Sequence, residues 1–369
     1  MLAITANWGI GDGSLVDSRA GRAAVWLDAI RRAVARSGWG RDGRYRPVEH
    51  VTLVFAGDTF DWLLSEQWAG RDRPWHGGGR AEEARARVVA ATARASRPLL
   101  RTVAGWARLG LPVAVATPRG RPSEWAEQRV MIQTVLLAGD RDPWLTDHAA
   151  AAARFGIATG EEWCDGERHV RHGHDLDPLA HRGPAAAGRG RRQPTLAESL
   201  RCDLLVRFAT AARGDTQLWQ AVRPRLAAVS ASRPSQWPAL IMGMTGEDRG
   251  LGGVWTQWRR AVAAWHAAAV REVPTCETEF DALGELAAWL DGDRGETPVP
   301  DAIRRLDGPT SSRPAAVIVP GSAQPDSPSL VCHDTDGHAW VEPLGMAPPA
   351  PPVVAIGAGA AGTGFIDAA

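Results

Sequence analysis

The chain contains no lysine: its 42 Lys-plus-Arg positions are all arginine, matched by 42 acidic residues for a formal net charge of +0. That balance excludes the global electrostatic pull that draws a protein to nucleic acid or an anionic membrane surface. All-arginine usage beside 40 Gly, 26 Pro and abundant Ala reads as genomic base composition rather than as a functional adaptation. Cysteine is scarce as well. Cys164, Cys202, Cys276 and Cys332 lie far apart, with no C-x-x-C pair and no short disulfide framework, which predicts reduced thiols and a cytoplasmic protein. No segment reaches the roughly 18 consecutive apolar residues that span a bilayer. Met1 to Ala6 enters a strand-like run directly, without the charged start and long apolar stretch of a signal peptide.

What is present is enough for a large core. At 369 residues the chain exceeds the common domain size of about 100–200, and its alternation of strand-like and helix-like segments predicts an α/β core with an inserted subdomain. The expected divisions are a core over 1–178, a mainly helical insertion over 179–313, and strands over 314–369 that complete the core as part of a second sheet. Ala23, Leu27, Ile30 and Val34 make a helical stripe over about 17–36. Val51 to Ala56 is an apolar, β-branched run suited to a strand buried on both faces. A long helix is expected over 81–109, followed by strands over 113–117 and 132–138. In the insertion, Thr195 and Glu198 form a capping-box signature, followed by Leu200, Leu204, Phe208 and Ala211 on one side. Trp255, Trp258, Val262, Trp265 and Ala269 recur at spacings of three and four and read as packing. Gly357 to Gly362 matches G-x-G-x-x-G, but without a following helix and strand it reads as a turn of small residues.

Three polar motifs carry the chemistry: Gly57-Asp58-Thr59-Phe60-Asp61, Gly139-Asp140-Arg141-Asp142 and His172-Gly173-His174. Phosphoester hydrolysis is slow because water is a poor nucleophile and the transferring group gathers negative charge. Two metals about 3.5–4 Å apart solve both problems, and they need carboxylates and imidazoles on loops at the ends of buried strands. The order of these motifs resembles the calcineurin-like metallophosphoesterases, and Gly-Asp-Thr-Phe-Asp-Trp with an Arg-containing third motif is similar to the UDP-2,3-diacylglucosamine pyrophosphatase branch. The resemblance implies a four-layer sandwich of two packed mixed β-sheets flanked by helices. It also implies Asp58 as a bridging metal ligand, Asp140 and His172 as further ligands, and Arg141 and His174 in catalytic roles.

The same pattern is broken at both ends. Asn7-Trp8-Gly9 stands where the family has D-x-H, and no G-H-x-H occurs. Its place falls either to Gly243-Met244-Thr245-Gly246 or, better placed after the insertion, to Pro320-Gly321-Ser322-Ala323, where Gly321 and Ala323 replace the histidines. Asp12 is the candidate substitute ligand. Asp58, Asp140 and His172 therefore leave one position for a divalent ion, Mn²⁺, Fe²⁺ or Zn²⁺, and the second position is expected to be lost. Pro118-Arg119-Gly120-Arg121 is the alternative third motif; if it is the true one, almost nothing that binds metal survives. Taken singly, Asp58, Asp61, Asp140 and Asp142 also read as turn-forming carboxylates, and His172 and His174 as strand residues bonded to Asp175 or Asp177. Two functions follow. One is a hydrolase of a phosphodiester or pyrophosphate, with a phosphorylated small molecule as substrate and Arg141, Arg189, Arg191 and Arg192 against its phosphate. The other is a catalytically disabled member that binds a protein partner through the helical insertion. The short basic run 189–192 and the absence of an aromatic-basic repeat argue against nucleic acid.

Overall fold

The structure, a computed structural model, describes residues 1–166, 168–174, 193–232, 234–244, 252–273, 277–292, 329–333 and 339–343. It is a mixed α/β fold built on a central sheet with a parallel heart. β1 (Leu2–Thr5), β2 (His50–Ala56) and β4 (Pro122–Leu137) run parallel in the order β4-β2-β1, and β5 (Ile157–Gly160) adds in parallel to the far side of β4. Because these strands are parallel, their C-terminal ends share one edge of the sheet, where ligands of open α/β folds bind. β3 (Leu111–Ala116) pairs antiparallel with the first half of β4. The turn between them, at Thr117 to Arg121, is closed by Gly120 N–H to Thr117 O. Pro118 to Arg121 is thus a hairpin turn at the start of β4, the whole strand away from the Gly139 loop.

The period of two sorts the sheet into two faces. Ala3, Leu53, Phe55 and Leu136 cluster with α1 (Ala23–Ser37) on the first. Leu2, Ile4, Val54, Ala56, Val135 and Leu137 point to the second, where they meet Val170 and Trp163 of the hairpin formed by β6 (Glu162–Cys164) and β7 (His169–Arg171). The expected α1 stripe is buried throughout. The expected helix over 81–109 is two: α2 (Gly79–Ala95) and α3 (Arg97–Leu109). Pro98 cannot donate a helical N–H and disfavours helical geometry before it, so the chain breaks at Ser96, whose hydroxyl turns back to Thr92 O.

The strands β8 (Ser329–His333) and β9 (Ala339–Pro343) correct one expectation. They do not build a second sheet; β8 pairs antiparallel with β1 and β9 with β8, extending the main sheet. A strand's apolar pattern says which faces it buries, not which edge it joins. Apart from 329–333 and 339–343, the expected strand region 314–369 lies outside the described residues, as do the Gly357–Gly362 turn, the arginines 189, 191 and 192, and Gly321 and Ala323.

The helical segment shares the core of the sheet. The capping box forms as read, and α5 (Leu196–Ser199) passes through a π-helical stretch, Leu200–Leu205, into α6 (Val206–Arg213). All six π-helical residues are buried, as an ordinary amphipathic helix would not allow. Leu204 and Phe208 are buried as expected, and beyond them Ala212, four residues after Phe208, is buried in place of the expected Ala211. In α9 (Gly252–Glu272), Trp258 and Trp265 are buried, donating to Leu290 O (2.6 Å) and Ser199 Oγ (3.0 Å). Around them stand α7 (Thr216–Ala231), α8 (Trp237–Met242) and α10 (Glu277–Leu290). Gly243 and Met244 follow helix α8, not a strand, so that segment does not supply the strand-end loop a G-H-x-H equivalent needs. Among the described residues no helix is long and apolar enough to cross a membrane.

Candidate functional site

The loops after β1, β2 and β4 run side by side at the shared edge. Asn7 N–H donates to Gly57 O (3.2 Å), Gly9 N–H to Asp58 O (2.9 Å) and Trp62 N–H to Arg141 O (3.0 Å). Trp8 anchors the first loop in the core against Trp26 and Phe55, its indole N–H on Thr5 Oγ1 at 2.7 Å. Asp58 sits just past β2 at φ 53°, a left-handed conformation that Asp tolerates better than most residues. Two glycines make the close approach possible. A Cβ on Gly57, at φ 91°, would stand 2.4 Å from His172 Cγ, and one on Gly139 would stand 2.2 Å from Asp58 Oδ1.

Asp58 is 2% exposed. Its Oδ1 accepts from Arg141 N–H at 2.9 Å, and its Oδ2 lies 3.0 Å from Arg141 Nε and 3.7 Å from His172 Nε2. Arg141 Nε–H is aimed off that carboxylate oxygen: close enough for an ion pair, it makes no hydrogen bond. His172 Nδ1 lies 3.6 Å from Asp140 Oδ1 and 3.2 Å from His174 Nδ1. His172 and His174 follow β7 rather than sharing a strand face, because the strand ends at Arg171. Asp58, Asp140 and His172 each present a ligand atom within 4.8 Å of the other two. The three predicted metal ligands therefore converge, and the loop that meets Asp58 is Gly139–Asp142, not 118–121.

Asp61 and Asp142 take the turn-forming role. Asp142 is fully buried and accepts from Gly139 N–H (2.7 Å) and Phe60 N–H (3.1 Å), fastening the β4 loop to the β2 loop. Asp61 accepts from Leu64 N–H (3.1 Å) and from Arg201 Nη1 (3.0 Å). Asp12 does not substitute for a missing ligand: its oxygens accept from Ser14 N–H, Ser14 Oγ and Ser65 Oγ, and it stands outside the converging trio. Asn7 and Gly9 leave the first-motif position without an imidazole. A Cβ on Gly9 would lie 3.5 Å from Arg19 Nη1 and 3.7 Å from Arg141 Nη1, so guanidinium groups border that space.

Burial and the surrounding charges together set the electrostatics. Burial, then the charge of Asp140, raises the Asp58 carboxyl, against His172 and Arg141. For Asp140 burial is the largest influence and acts upward, but His172, Arg141, Arg201 and His174 together outweigh it and hold the carboxyl low. Burial and the neighbouring Asp58 push Asp142 up to about 7, despite its two backbone donors. Burial acts to lower Arg141, yet four surrounding carboxylates, Asp58 foremost, keep it raised. Arg201 is lowered, by burial first and then by the like charge of Arg141.

Arg201 is the group that motif reading misses. It sits in the π-helical stretch, donates to Asp61 and to Ser230 O (2.6 Å), and adds its field to the Asp140 environment. Its neighbour Asp203 pairs with Arg73 at 2.5 Å. The available signal was two opposite charges, Arg201 and Asp203, inside the otherwise apolar run Leu200 to Leu205. Charges so placed are buried and must find partners. No family model matches this chain, and neither a curated protein nor a solved structure matches it.

Proposed function

We propose that the chain is a metallophosphoesterase-like protein that holds one divalent ion on Asp58, Asp140 and His172 and acts on a phosphodiester or pyrophosphate. The observation that carries the reading is the convergence of these three side chains at the shared C-terminal edge of β2 and β4, with His172 brought in from β7. The four-layer, two-sheet architecture belongs to the same proposal. Helices on one sheet face and the β6–β7 hairpin on the other support it.

The donor set suits a single Mn²⁺, Fe²⁺ or Zn²⁺: two carboxylates and one imidazole. Burial first, and then the nearby charge of Asp140, raises the Asp58 carboxyl, a penalty that a bound cation would relieve. A second ion does not fit, because Asn7 and Gly9 offer no carboxylate or imidazole and arginines border the space. When bound, the ion polarises a phosphoryl oxygen and acidifies a water. Arg141 and Arg19 then face the phosphate oxygens with fixed positive charge. With the Nδ1 proton of His172 donated to Nδ1 of a neutral His174, His172 Nε2 keeps its lone pair toward Asp58, and His174 Nε2–H is left to donate a hydrogen bond to a phosphate or leaving oxygen.

Metal content and turnover of bis-p-nitrophenyl phosphate with Mn²⁺ test the reading. Bound metal and turnover that both vanish in Asp58→Ala support it; no bound metal and no rate difference refute it. A second reading, a catalytically inactive protein that serves as a binding partner, is favoured by one observation: Arg141 Nε already stands 3.0 Å from Asp58 Oδ2, as a positive charge that competes with a metal ion. It predicts no bound metal and no turnover with any metal.

A further inference from the structure

The outer face of the β6–β7 hairpin carries a second cluster of ligand-type side chains, independent of the phosphoester reading. In the antiparallel register Cys164 stands directly opposite His169, and Glu162, two residues before Cys164, shares its face. His169 Nε2 lies 2.7 Å from Glu162 Oε2. A carboxylate oxygen, the thiol sulfur and an imidazole nitrogen from these residues all fall within 4.8 Å of one another. The inner face of the hairpin, Trp163 and Val170, is packed on the sheet, which directs the three ligands outward. Glu162 and Cys164 are exposed and His169 half-buried, so an ion reaches them from solvent.

We propose that Glu162, Cys164 and His169 form a binding site for a thiophilic divalent cation, Zn²⁺ foremost. Sulfur, nitrogen and oxygen donors together select Zn²⁺ or Co²⁺ over Mg²⁺ or Mn²⁺. Around a tetrahedral Zn²⁺ the bond lengths place donor atoms roughly 3–4 Å apart, a small adjustment from the spacing present. Three protein ligands leave a fourth position for water. Without metal, the His169–Glu162 contact occupies the place of the ion; on binding, the Cys164 thiol gives its proton to solvent. Because β7 is only three residues long and His172 follows it at once, a metal tying β6 to β7 fixes the strand that delivers the His172-Gly173-His174 segment.

The full chain titrated with Co²⁺ reports the site through thiolate-to-cobalt charge-transfer absorption. Asp58, Asp140 and His172 cannot produce this signal. Cys202 and Cys332 are buried away from solvent, and the Cys202 thiol is raised by that burial and donates to Leu63 O. The proposal expects the band in the parent protein and in Asp58→Asn. It expects loss of the band in Cys164→Ser and affinity reduced more than ~10-fold in His169→Ala. Zn²⁺ should displace Co²⁺ and, in the Asp58→Asn background that weakens the other site, raise the melting temperature, an effect that adding Cys164→Ser abolishes. A band that survives Cys164→Ser, or no band in a folded parent protein, overturns it. The exposed positions of Glu162 and Cys164 keep the variants folded, and Glu162→Gln is the conservative second variant should His169→Ala lose structure.

Discussion

Substituting Gly57 by alanine tests how the β2 loop admits His172. The new Cβ would stand 2.4, 2.5 and 2.7 Å from His172 Cγ, Cδ2 and Cβ, where carbon atoms normally keep about 3.5–4.0 Å. His172 or the loop must therefore move by about 1 Å or more. Overpacking of this kind costs about 1–3 kcal/mol. Alanine at a positive φ adds about 1–2 kcal/mol, since Gly57 sits at φ 91°. The expected total is about 2–5 kcal/mol, read as a fall in the urea midpoint with unchanged slope. The steric share is separable, because His172→Gly deletes all three clashing atoms. In that background Gly57→Ala should cost only its backbone share, giving a coupling of about 1–3 kcal/mol in the double-mutant cycle. Additivity within about 0.5 kcal/mol would refute the contact and, with it, the placement of His172 over the β2 loop.

Arg201→Met should destabilise the fold by about 3 kcal/mol or more, since it strands buried Asp61 and the Ser230 carbonyl; equilibrium denaturation measures it. Asp142 has a carboxyl raised to about 7, so the folded state keeps a proton that the unfolded chain releases near 3.8. Its contribution to stability is accordingly present at low pH and lost as pH rises from about 4 toward 7 and above. Denaturation at pH 5 and pH 8 should show the parent losing ground to Asp142→Asn at the higher pH, and an unchanged difference would contradict the assignment. Gly105→Ala, inside α3 with nothing within 4 Å of the added methyl, should stabilise by up to about 1 kcal/mol and leave metal binding unchanged.

Much of the scaffold was legible where one physical signal dominates. The Val51–Ala56 run, the α1 stripe, the Thr195 capping box and the packing of Trp258 and Trp265 all follow from burial periodicity or local hydrogen bonding. The first half of β4 was not legible. Residues from Ser123 to Arg129 are mostly exposed, Trp125 among them, so neither alternation nor an apolar run marks them as strand. The partner of β8 was hidden because edge pairing is decided by tertiary geometry. In the site, residue type and spacing exposed Asp58, Asp140 and His172 as a set. They could not reveal that Arg201 would arrive from a helix 140 positions beyond Asp61. Nor could they separate the carboxylates that face the site from Asp61 and Asp142, which serve the backbone and Arg201. That division depends on which oxygens the loop amides reach, a property of the folded loops alone.

The central claim is a one-ion site on Asp58, Asp140 and His172, and Mn²⁺ stoichiometry tests it most directly. The measurement belongs in the Cys164→Ser, His169→Ala background, which removes the hairpin ligands from the count. One Mn²⁺ per chain, lost in Asp58→Ala and in His172→Ala, is the predicted result. Two Mn²⁺ per chain, or binding unchanged by both substitutions, would contradict it.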